Sequence, residues 1–386
     1  MGIGIFGGTF NPPHKGHLLA AKAAMETLAL DRLYIIPAGT PPHKPLSEGA
    51  PKPKGRYRMA QLLFAGEENM RVIDTEINRP GPSYTIDTVL EIEKRHPGKP
   101  LYLLMGTDMF SALNQWHRVE ELLQRVTPAV FSRGQGPAET KWIVDKYAVT
   151  PTVIDHQALE ISSTRLREIL PERQGVEFLS DTLYSEIIRK GHYRARPDFA
   201  WLREQVYAQL KPNRVAHTQG TEEEAVRLAK YWGVNLHEAR EAAILHDLTK
   251  GKSLEEQLRL CEKYDMIPDS VERKNAKLLH AKTGARLAKE IFGICDQVYA
   301  AIRWHTTGRP DMSTLEKVIY LADYIEPNRD FDGVDHLRQL AYADLDAALL
   351  WGLEQTMKEL HEKIDRPHPQ TAEAIAWYRN RGEVRG

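Results

Sequence analysis

The sequence predicts a doubly wound α/β domain followed by an all-α domain. Strand-like apolar segments alternate with amphipathic helical segments through the first half, a pattern typical of βαβ units and a parallel sheet. After residue 199 the period-2 alternation nearly disappears, and helix-like segments follow one another. A basic stretch at 191–197 that contains Gly and Pro interrupts both patterns, so we expect domains at 1–193 and 197–386.

Each element is predicted from its local pattern. The apolar run at 101–105 is typical of a strand buried on both faces, and the amphipathic segment before it is stopped by Pro97 and Gly98. In the first half we predict strands near 4–7, 32–37, 71–74, 101–105, 129–131 and 153–154, and helices near 16–25, 56–65, 84–95 and 183–189. In the second half we predict helices at 201–210, 221–231, 237–248, 254–264, 275–292, 296–304, 314–325 and 336–361.

The composition indicates a cytoplasmic protein without a nucleic-acid or membrane partner. Lys and Arg number 52 against 53 Asp and Glu, so the net charge of -1 gives no basic field for nucleic acid. The two cysteines cannot form a disulfide framework, and no apolar run approaches the ~18 residues of a membrane span. A homo-oligomer stays open.

The first strand leads into a motif that suits a triphosphate. It ends in Gly7 and Gly8, which lack a Cβ and so let a bound group approach the backbone. The helix that begins near Gly16 offers free N–H groups and a positive dipole end. His14 and His17 lie three residues apart at that end. The arrangement predicts a site that positions a triphosphate for attack on its α-phosphorus and stabilises the developing charge.

A second motif lies at 161–167. Ser162 and Ser163 can cap a helix and offer hydroxyl and N–H groups to phosphate. Arg167 lies four residues after Ser163 and can reach the same anion. By itself this segment is more often an ordinary helix cap with solvated arginines.

Other candidates follow strand ends. Asp108 comes directly after the apolar strand, where its carboxylate can accept hydrogen bonds from ribose hydroxyls or cap the next helix. The Pro-rich segment between residues 38 and 55 contains Lys44 and precedes Arg56. Loops of this length are often functional, so Lys44 and, less strongly, Arg56 are candidate phosphate contacts. A stiff surface loop is the alternative.

The first motif resembles the GGTF(D/N)PxHxGH signature of bacterial nicotinate mononucleotide adenylyltransferases, and the second resembles their ISSTxIR segment. The resemblance implies a Rossmann-like fold and the reaction of nicotinate mononucleotide with Mg²⁺-ATP to nicotinate adenine dinucleotide and pyrophosphate. It implies catalytic roles for His14, His17 and Arg167. It also implies ATP contacts by Gly7, Gly8, Thr9, Phe10, His14, His17, Asp108, Arg133, Ile161, Ser162, Ser163 and Arg167.

The same resemblance implies how the mononucleotide is recognised. Trp116 would stack on the pyridine ring, Tyr84 and Thr85 would receive the nicotinate carboxylate, and Lys44 would meet a phosphate. A helix N-terminus beside Tyr84 and Thr85 also suits a carboxylate on physical grounds. Another adenylyltransferase, such as one that acts on phosphopantetheine, is the alternative, and Trp116 argues against it.

Polar residues in the second half form a metal-ligand pattern. Six of them adjoin apolar helical sequence, where an unpaired His or Asp is costly: His217, His246, Asp247, His280, His305 and Asp323. Each alone is more often a satisfied core or cap residue, but six in one helical domain favour a metal centre. Adjacent helical residues diverge by roughly 100°, which suits an Asp that bridges two ions. The donor set favours Fe, with Mn or Co as alternatives, over Ca or Mg alone.

The order H…HD…H…H…D resembles that of HD-domain phosphohydrolases, and the segments at 246–250, 301–308 and 321–327 resemble the YqeK subgroup. The resemblance implies symmetrical hydrolysis of diadenosine tetraphosphate to two ADP. Lys250, one turn after His246, is a candidate catalytic residue, and Arg329 is a candidate phosphate contact. Two alternatives remain: a phosphatase that acts on another nucleotide, and a non-catalytic nucleotide-binding regulatory module.

Overall fold

The computed structural model describes residues 2–41, 46, 49–132, 141–156, 159–362 and 368–385. The chain divides into two compact units, Met1–Arg196 and Pro197–Gly386. Of these, the first is α/β and the second is helical, which confirms the predicted fold classes. Within the described residues no helix is long and apolar enough to cross a membrane.

A parallel sheet forms the centre of the first unit, with the order β3-β2-β1-β4-β5-β6 among the described residues. Every neighbouring pair of strands is parallel. The strand bounds are β1 Gly2–Gly8, β2 Leu30–Pro37, β3 Met70–Val72, β4 Leu101–Gly106, β5 Thr127–Ser132 and β6 Thr152–Asp155. The apolar side chains of β4 are nearly all buried, as its continuous apolar sequence requires.

Helices connect the parallel strands. Their bounds in the described part of this unit are α1 Lys15–Thr27, α2 Pro53–Leu63, α3 Thr75–Asn78, α4 Thr85–Arg95, α5 Thr107–Ser111, α6 Val119–Leu123, α7 Lys141–Tyr147, α8 Ser163–Ile169 and α9 Asp181–Arg189. The strand order reverses between β1 and β4, which are neighbours in the sheet. Such a switch point opens a crevice at the carboxyl ends of the strands, so the loops after Gly8 and Gly106 border it.

The second unit contains no strand in its described part. Its helices are α10 Phe199–Tyr207, α11 Pro212–Trp232, α12 Leu236–Leu245, α13 Leu254–Lys263, α14 Ala276–Phe292, α15 Asp296–Trp304, α16 Thr314–Ile325, α17 Val334–Ala343, α18 Leu345–Glu362 and α19 Pro369–Arg385. Five consecutive residues of α16, from Val318 to Ala322, are buried, so this helix lies in the interior of the unit.

Two helix predictions in the second unit are wrong, and one helix of that unit was missed. Helix α11 begins at Pro212 rather than at residue 221, because Pro fits the first turn of a helix and Gly220 does not interrupt it. The segment predicted as one helix at 336–361 is two helices. Asp344 between them is extended, and its carboxylate accepts from the backbone N–H groups of Asp346 and Ala347. Helix α19 was not predicted at all.

Candidate nucleotidyl-transfer site and candidate metal centre

The loop after β1 places Phe10 in the core. Its backbone is left-handed, with φ 46°, which a non-glycine residue adopts only when surrounding contacts hold it. The buried ring packs edge-to-face on Phe6, with ring centroids 5.7 Å apart. Gly7 and Gly8 end β1, and the loop that begins with Thr9 is anchored by this aromatic side chain before the histidines.

The two histidines of the first motif meet at the start of α1. The backbone N–H of His14 donates to Nδ1 of His17 at 3.2 Å, and the two rings lie 3.9 Å apart between centroids. A Cβ at Gly16 would lie 2.9 Å from Nδ1 of His14, which explains the glycine between them. Burial and the neighbouring His14 hold the pKa of His17 well below its usual value. Since Nδ1 accepts, the neutral His17 ring carries its proton on Nε2 and can donate there.

The second motif reaches the first one. Arg167 donates from Nη1 to the carbonyl oxygen of Asn11 at 2.7 Å, and the Ser163 hydroxyl donates to the carbonyl oxygen of Pro12 at 2.8 Å. The Tyr193 hydroxyl donates to Oδ1 of Asn11 at 2.7 Å. Ser162 caps α8 by accepting from a backbone N–H, and Ile161 precedes it. Arg167 and Ser163 thus brace the backbone that carries His14.

Arg56 joins two loops and is not open to a phosphate. Its side chain is fully buried and donates to the carbonyl oxygens of Thr9 at 2.8 Å and Gly39 at 2.9 Å. Burial lowers the pKa of its guanidinium. The prediction of Arg56 as a phosphate contact is therefore corrected: the cation holds the loop after β1 against the loop after β2.

The residues predicted to recognise the mononucleotide lie around α4. Tyr84 immediately precedes this helix, Thr85 is its first residue, and the Tyr84 ring lies 4.3 Å from the His117 ring. Trp116 is half-buried and packs against the same apolar cluster as Tyr84. Asp108 is exposed on α5, directly after β4. Lys44 and Arg133 lie outside the described residues.

In the helical unit, the six predicted ligands converge. His217 lies on α11, His280 on α14 and Asp323 on α16; His246 and His305 are the C-caps of α12 and α15, and Asp247 follows His246. The Nε2 atoms of His246 and His217 are 3.3 Å apart, and those of His280 and His305 are 3.1 Å apart. Nε2 of His217 lies 3.0 Å from Oδ1 of Asp323.

Asp247 divides this cluster into two groups. Its Oδ2 lies 3.5 Å from Nε2 of His246 and 3.8 Å from Nε2 of His217. Its Oδ1 lies 3.1 Å from Nε2 of His280 and 3.7 Å from Nε2 of His305. One carboxylate therefore faces two separate sets of imidazoles, as a bridging ligand does.

The imidazoles are oriented by backbone carbonyls. Nδ1–H of His246 donates to Ala243, that of His280 to Lys277 and that of His305 to Ile302, each at 2.7 Å. Since a carbonyl only accepts, each Nδ1 carries the proton and each Nε2 lone pair faces the centre. The Nε2 atoms of His280 and His305 are 3.1 Å apart, and their lone pairs repel each other unless a cation lies between them. This donor set therefore fits metal ions.

Two imidazoles of the cluster are held neutral, whereas the pKa of His217 is raised, because Asp323 and Glu326 outweigh the effect of burial. Burial lowers the pKa of His246 to about 4 and that of His280 to about 3. Burial alone would raise the pKa of Asp247, but His246 and the other imidazoles beside the carboxylate outweigh burial and hold that pKa well below its usual value. Neutral His and ionised Asp are the forms that bind a metal.

Three residues of this site were missed in the sequence. Glu326 accepts from Nδ1 of His217 at 3.2 Å, a partner that fixes the orientation of a metal-binding imidazole. Gly220 makes room for it, since a Cβ there would lie 2.4 Å from Oε2 of Glu326. Arg214, one turn before His217, lies 3.3 Å from Oδ2 of Asp247. The i to i+3 spacing of Arg214 and His217 was the available signal.

Comparison with known proteins places each half in a family. Residues 5–169 match the Cytidylyltransferase-like family. A "probable nicotinate-nucleotide adenylyltransferase" of Shouchella clausii is 36% identical over 190 residues, which are 49% of this chain and 94% of that protein. One of Gloeobacter violaceus is 38% identical over 197 residues, 50% of this chain and 95% of that protein. The N-terminal half belongs to the nicotinate-nucleotide adenylyltransferase family.

The helical half contains an HD domain, since residues 214–328 match that family. A Clostridium acetobutylicum protein described as a "predicted HD superfamily hydrolase involved in NAD metabolism" is 37% identical. It covers 48% of this chain and 100% of its own, with a TM-score of 0.47. The two family matches show that the chain is a fusion of an adenylyltransferase-family half and an HD-domain half. The HD match spans all six converging residues, from His217 to Asp323.

Proposed function

We propose that the N-terminal half transfers AMP from ATP to nicotinate mononucleotide. The observation that carries this proposal is the pair His14 and His17 at the positive end of α1, beside the sheet's switch point, in a chain of the adenylyltransferase family. A phosphate oxygen of the mononucleotide attacks the α-phosphorus of ATP, and pyrophosphate leaves. No protein nucleophile is needed, because positioning and charge stabilisation supply the catalysis.

The neutral His17 ring supports this role. Its Nε2–H donates to a phosphoryl oxygen as negative charge develops there, while Nδ1 stays bonded to the His14 backbone. Mg²⁺ accompanies ATP and neutralises its phosphates. Arg167 and Ser163 keep the loop before α1 in place through Asn11 and Pro12, and Arg56 holds the same loop through Thr9.

Recognition of the acceptor rests on aromatic faces and a helix end. Trp116 is half-buried and offers a ring face to the pyridine, and Tyr84 and Thr85 lie at the positive end of α4, which suits the nicotinate carboxylate. The test compares acceptors with the full chain, ATP and Mg²⁺. Nicotinate mononucleotide should be used with a much higher kcat/KM than nicotinamide mononucleotide, and phosphopantetheine should not react.

For the HD half, we propose a metal-dependent phosphohydrolase that converts diadenosine tetraphosphate to two ADP. The observation that carries it is the carboxylate of Asp247, whose two oxygens face two sets of imidazoles. His217, His246 and Asp323 would hold one ion, His280 and His305 the other, and Asp247 both. Iron is favoured, with Mn or Co as alternatives. Two such ions would clamp a phosphoanhydride and lower the pKa of a bound water.

The chain's own residues prepare that centre. Backbone carbonyls fix the three imidazoles of His246, His280 and His305, and Glu326 fixes His217. Lys250 Nζ lies 3.4 Å from Oδ1 of Asp247 at the rim, where a substrate phosphate would arrive. The substrate assignment rests on the subgroup resemblance.

The test gives diadenosine tetraphosphate to the full chain loaded anaerobically with Fe²⁺ or Mn²⁺, and the products are separated by chromatography. Two ADP are expected. AMP with ATP, or metal binding without turnover, would contradict this substrate. Turnover of another nucleotide in a parallel screen would then point to a different phosphatase, and its absence to a regulatory module.

A further inference from the structure

Three basic side chains surround the HD centre, and we call them the cationic rim: Arg214, Lys250 and Arg329. Nη1 of Arg214 lies 3.3 Å from Oδ2 of Asp247, and Nζ of Lys250 lies 3.4 Å from Oδ1 of the same carboxylate. Nη2 of Arg329 lies 2.9 Å from Oδ1 of Asp323. Their side chains are 35%, 23% and 39% exposed, so they lie between the buried carboxylates and solvent.

The cationic rim has two sides. Arg214 and Arg329 come from α11 and from the loop after α16, and both lie by the carboxylate oxygens that face His217. Lys250 comes from the turn after α12 and lies 3.3 Å from Nε2 of His280, by the other oxygen of Asp247. A phosphate chain laid across the centre would therefore meet a cation on each side.

The charge balance of the site indicates what kind of substrate it takes. The three cations of the rim are matched by three carboxylates at the same centre, those of Asp247, Asp323 and Glu326. Two divalent ions on these carboxylates would leave about four positive charges. A phosphate monoester carries at most about two negative charges, whereas a linear tetraphosphate diester carries about four. The loaded site thus suits a polyphosphate chain.

We propose that Arg214 binds the phosphate chain of the substrate, on the side of Asp247 opposite Lys250. This inference rests on the proposed hydrolase function and defines its substrate class as linear polyphosphates. A guanidinium forms paired hydrogen bonds with phosphate oxygens and stays charged, which suits this position. Its present partner, the Asp247 carboxylate, is the group that metal ions would engage.

The proposal predicts that Arg214→Ala changes the affinity for metal and the affinity for polyphosphate in different directions. The affinity for Mn²⁺ should stay equal or rise, because a positive charge beside the carboxylate is removed. The affinity of the Mn²⁺-loaded full chain for inorganic tripolyphosphate should fall roughly 10- to 100-fold, the loss of a charge-assisted hydrogen bond. Both are measured by calorimetry, the second with free Mn²⁺ held at saturation. Arg214→Lys should lose less tripolyphosphate affinity, because it keeps the charge.

Arg227→Ala is the matched control, since Arg227 lies on the same helix, is 60% exposed and pairs only with Glu223 and Glu224 in the described structure. It should leave both affinities unchanged. A fall in both affinities for Arg214→Ala would show a merely structural role and overturn the proposal. Orthophosphate that binds the native chain as tightly as tripolyphosphate would overturn the polyphosphate class. Tripolyphosphate carries no nucleoside, so its binding tests the role of Arg214 alone. If diadenosine tetraphosphate is not hydrolysed, that result contradicts the proposed substrate and not the role of Arg214.

Discussion

The two sites of this chain hold their functional groups by different means. In the α/β unit the site is formed by the backbone of a loop and of a helix start. Side chains from distant segments hold that backbone in place: Arg56, Ser163, Arg167 and Tyr193. In the helical unit the site is made of side chains on five helices or their ends, and backbone carbonyls brace those side chains. The roles of backbone and side chain are exchanged.

The difference follows from what each site would bind. A triphosphate is recognised by many N–H groups along a loop, so the loop must be held still and close approach must be possible. Metal ions are recognised by a few lone pairs in fixed directions, so each imidazole must be locked at its far nitrogen. The first site should therefore be sensitive to changes in its braces, and the second to changes in its ligands.

The largest effect is expected at Asp247, whose two carboxylate oxygens face two sets of imidazoles. Asp247→Asn should lower hydrolysis of diadenosine tetraphosphate by roughly 10³-fold, since the ions that Asp247 would hold would stabilise the charge of the transition state by several kcal/mol. Metal analysis of the purified chain should show fewer than two ions per chain. Full metal content with full activity would contradict the bridging role.

At the other site, His17→Ala should lower kcat for nicotinate adenine dinucleotide formation by roughly 10²–10³-fold, the scale of losing one donor to developing charge. The KM for ATP should change less than kcat. Steady-state kinetics measure both constants, and hydrolase activity in the same preparation is the internal control. A mild loss in kcat would reassign this role to other donors.

The braces of the first site can be tested through Arg56. Arg56→Met keeps much of the buried volume but removes the donors to Thr9 and Gly39, so the loop before His14 can shift. A displacement of about 1 Å costs on the order of 10² in rate. Adenylyl transfer should fall by up to that amount while hydrolysis stays unchanged. Normal transfer in a folded variant would show that the brace is dispensable.

A smaller effect is expected at the acceptor pocket. Trp116→Ala should raise KM for nicotinate mononucleotide about tenfold, because ring stacking contributes roughly 0.5–1.5 kcal/mol beyond burial. The KM for ATP should change much less. Equal changes in the KM for nicotinate mononucleotide and in the KM for ATP would contradict a place for Trp116 in the acceptor pocket. The variant His117→Ala tests separately the ring that lies beside Tyr84.

The smallest effect is expected from pH, on which kcat for adenylyl transfer should depend little. The pKa of His17 is held well below 6.5, so His17 is already neutral at pH 6.5 and does not titrate above it. The kcat for adenylyl transfer should therefore show no His17-dependent fall between about pH 6.5 and 8.5. A required imidazolium with an ordinary pKa would instead lose about tenfold in rate per pH unit over this range. If kcat does depend on pH, a slope that persists in His17→Gln belongs to another group, and a slope that disappears belongs to His17.

Prediction from sequence succeeded where the chemistry is local. Residues 7–17 lie in one stretch, and the fold class follows from alternation against helix after helix. The six polar residues of the HD half were found because each adjoins apolar helical sequence. The bridging position of Asp247 was predicted from helical geometry, but Asp247 lies beyond the end of α12, so which imidazoles face each of its oxygens could not be predicted.

Long-range partners explain most of what was missed. Arg56 was a candidate phosphate contact because it follows a long Pro-rich loop, and its buried hydrogen bonds to the carbonyl oxygens of Thr9 and Gly39 have no sequence pattern. The predicted helix at 221–231 began after Gly220, and only the position of Glu326 shows why a glycine lies inside α11. Arg214 lies one helical turn before His217 in the sequence. Its place at the site depends on its contact with Asp247, which lies on another segment.

One mixture tests most directly that the chain carries two separate active sites. Nicotinate mononucleotide, ATP, Mg²⁺ and diadenosine tetraphosphate are given to the metal-loaded native chain, His17→Ala and Asp247→Asn, and all products are separated by chromatography. The native chain should form nicotinate adenine dinucleotide and ADP, His17→Ala only ADP, and Asp247→Asn only the dinucleotide. Loss of both products in either folded variant, or ADP formation that survives Asp247→Asn, would contradict the account.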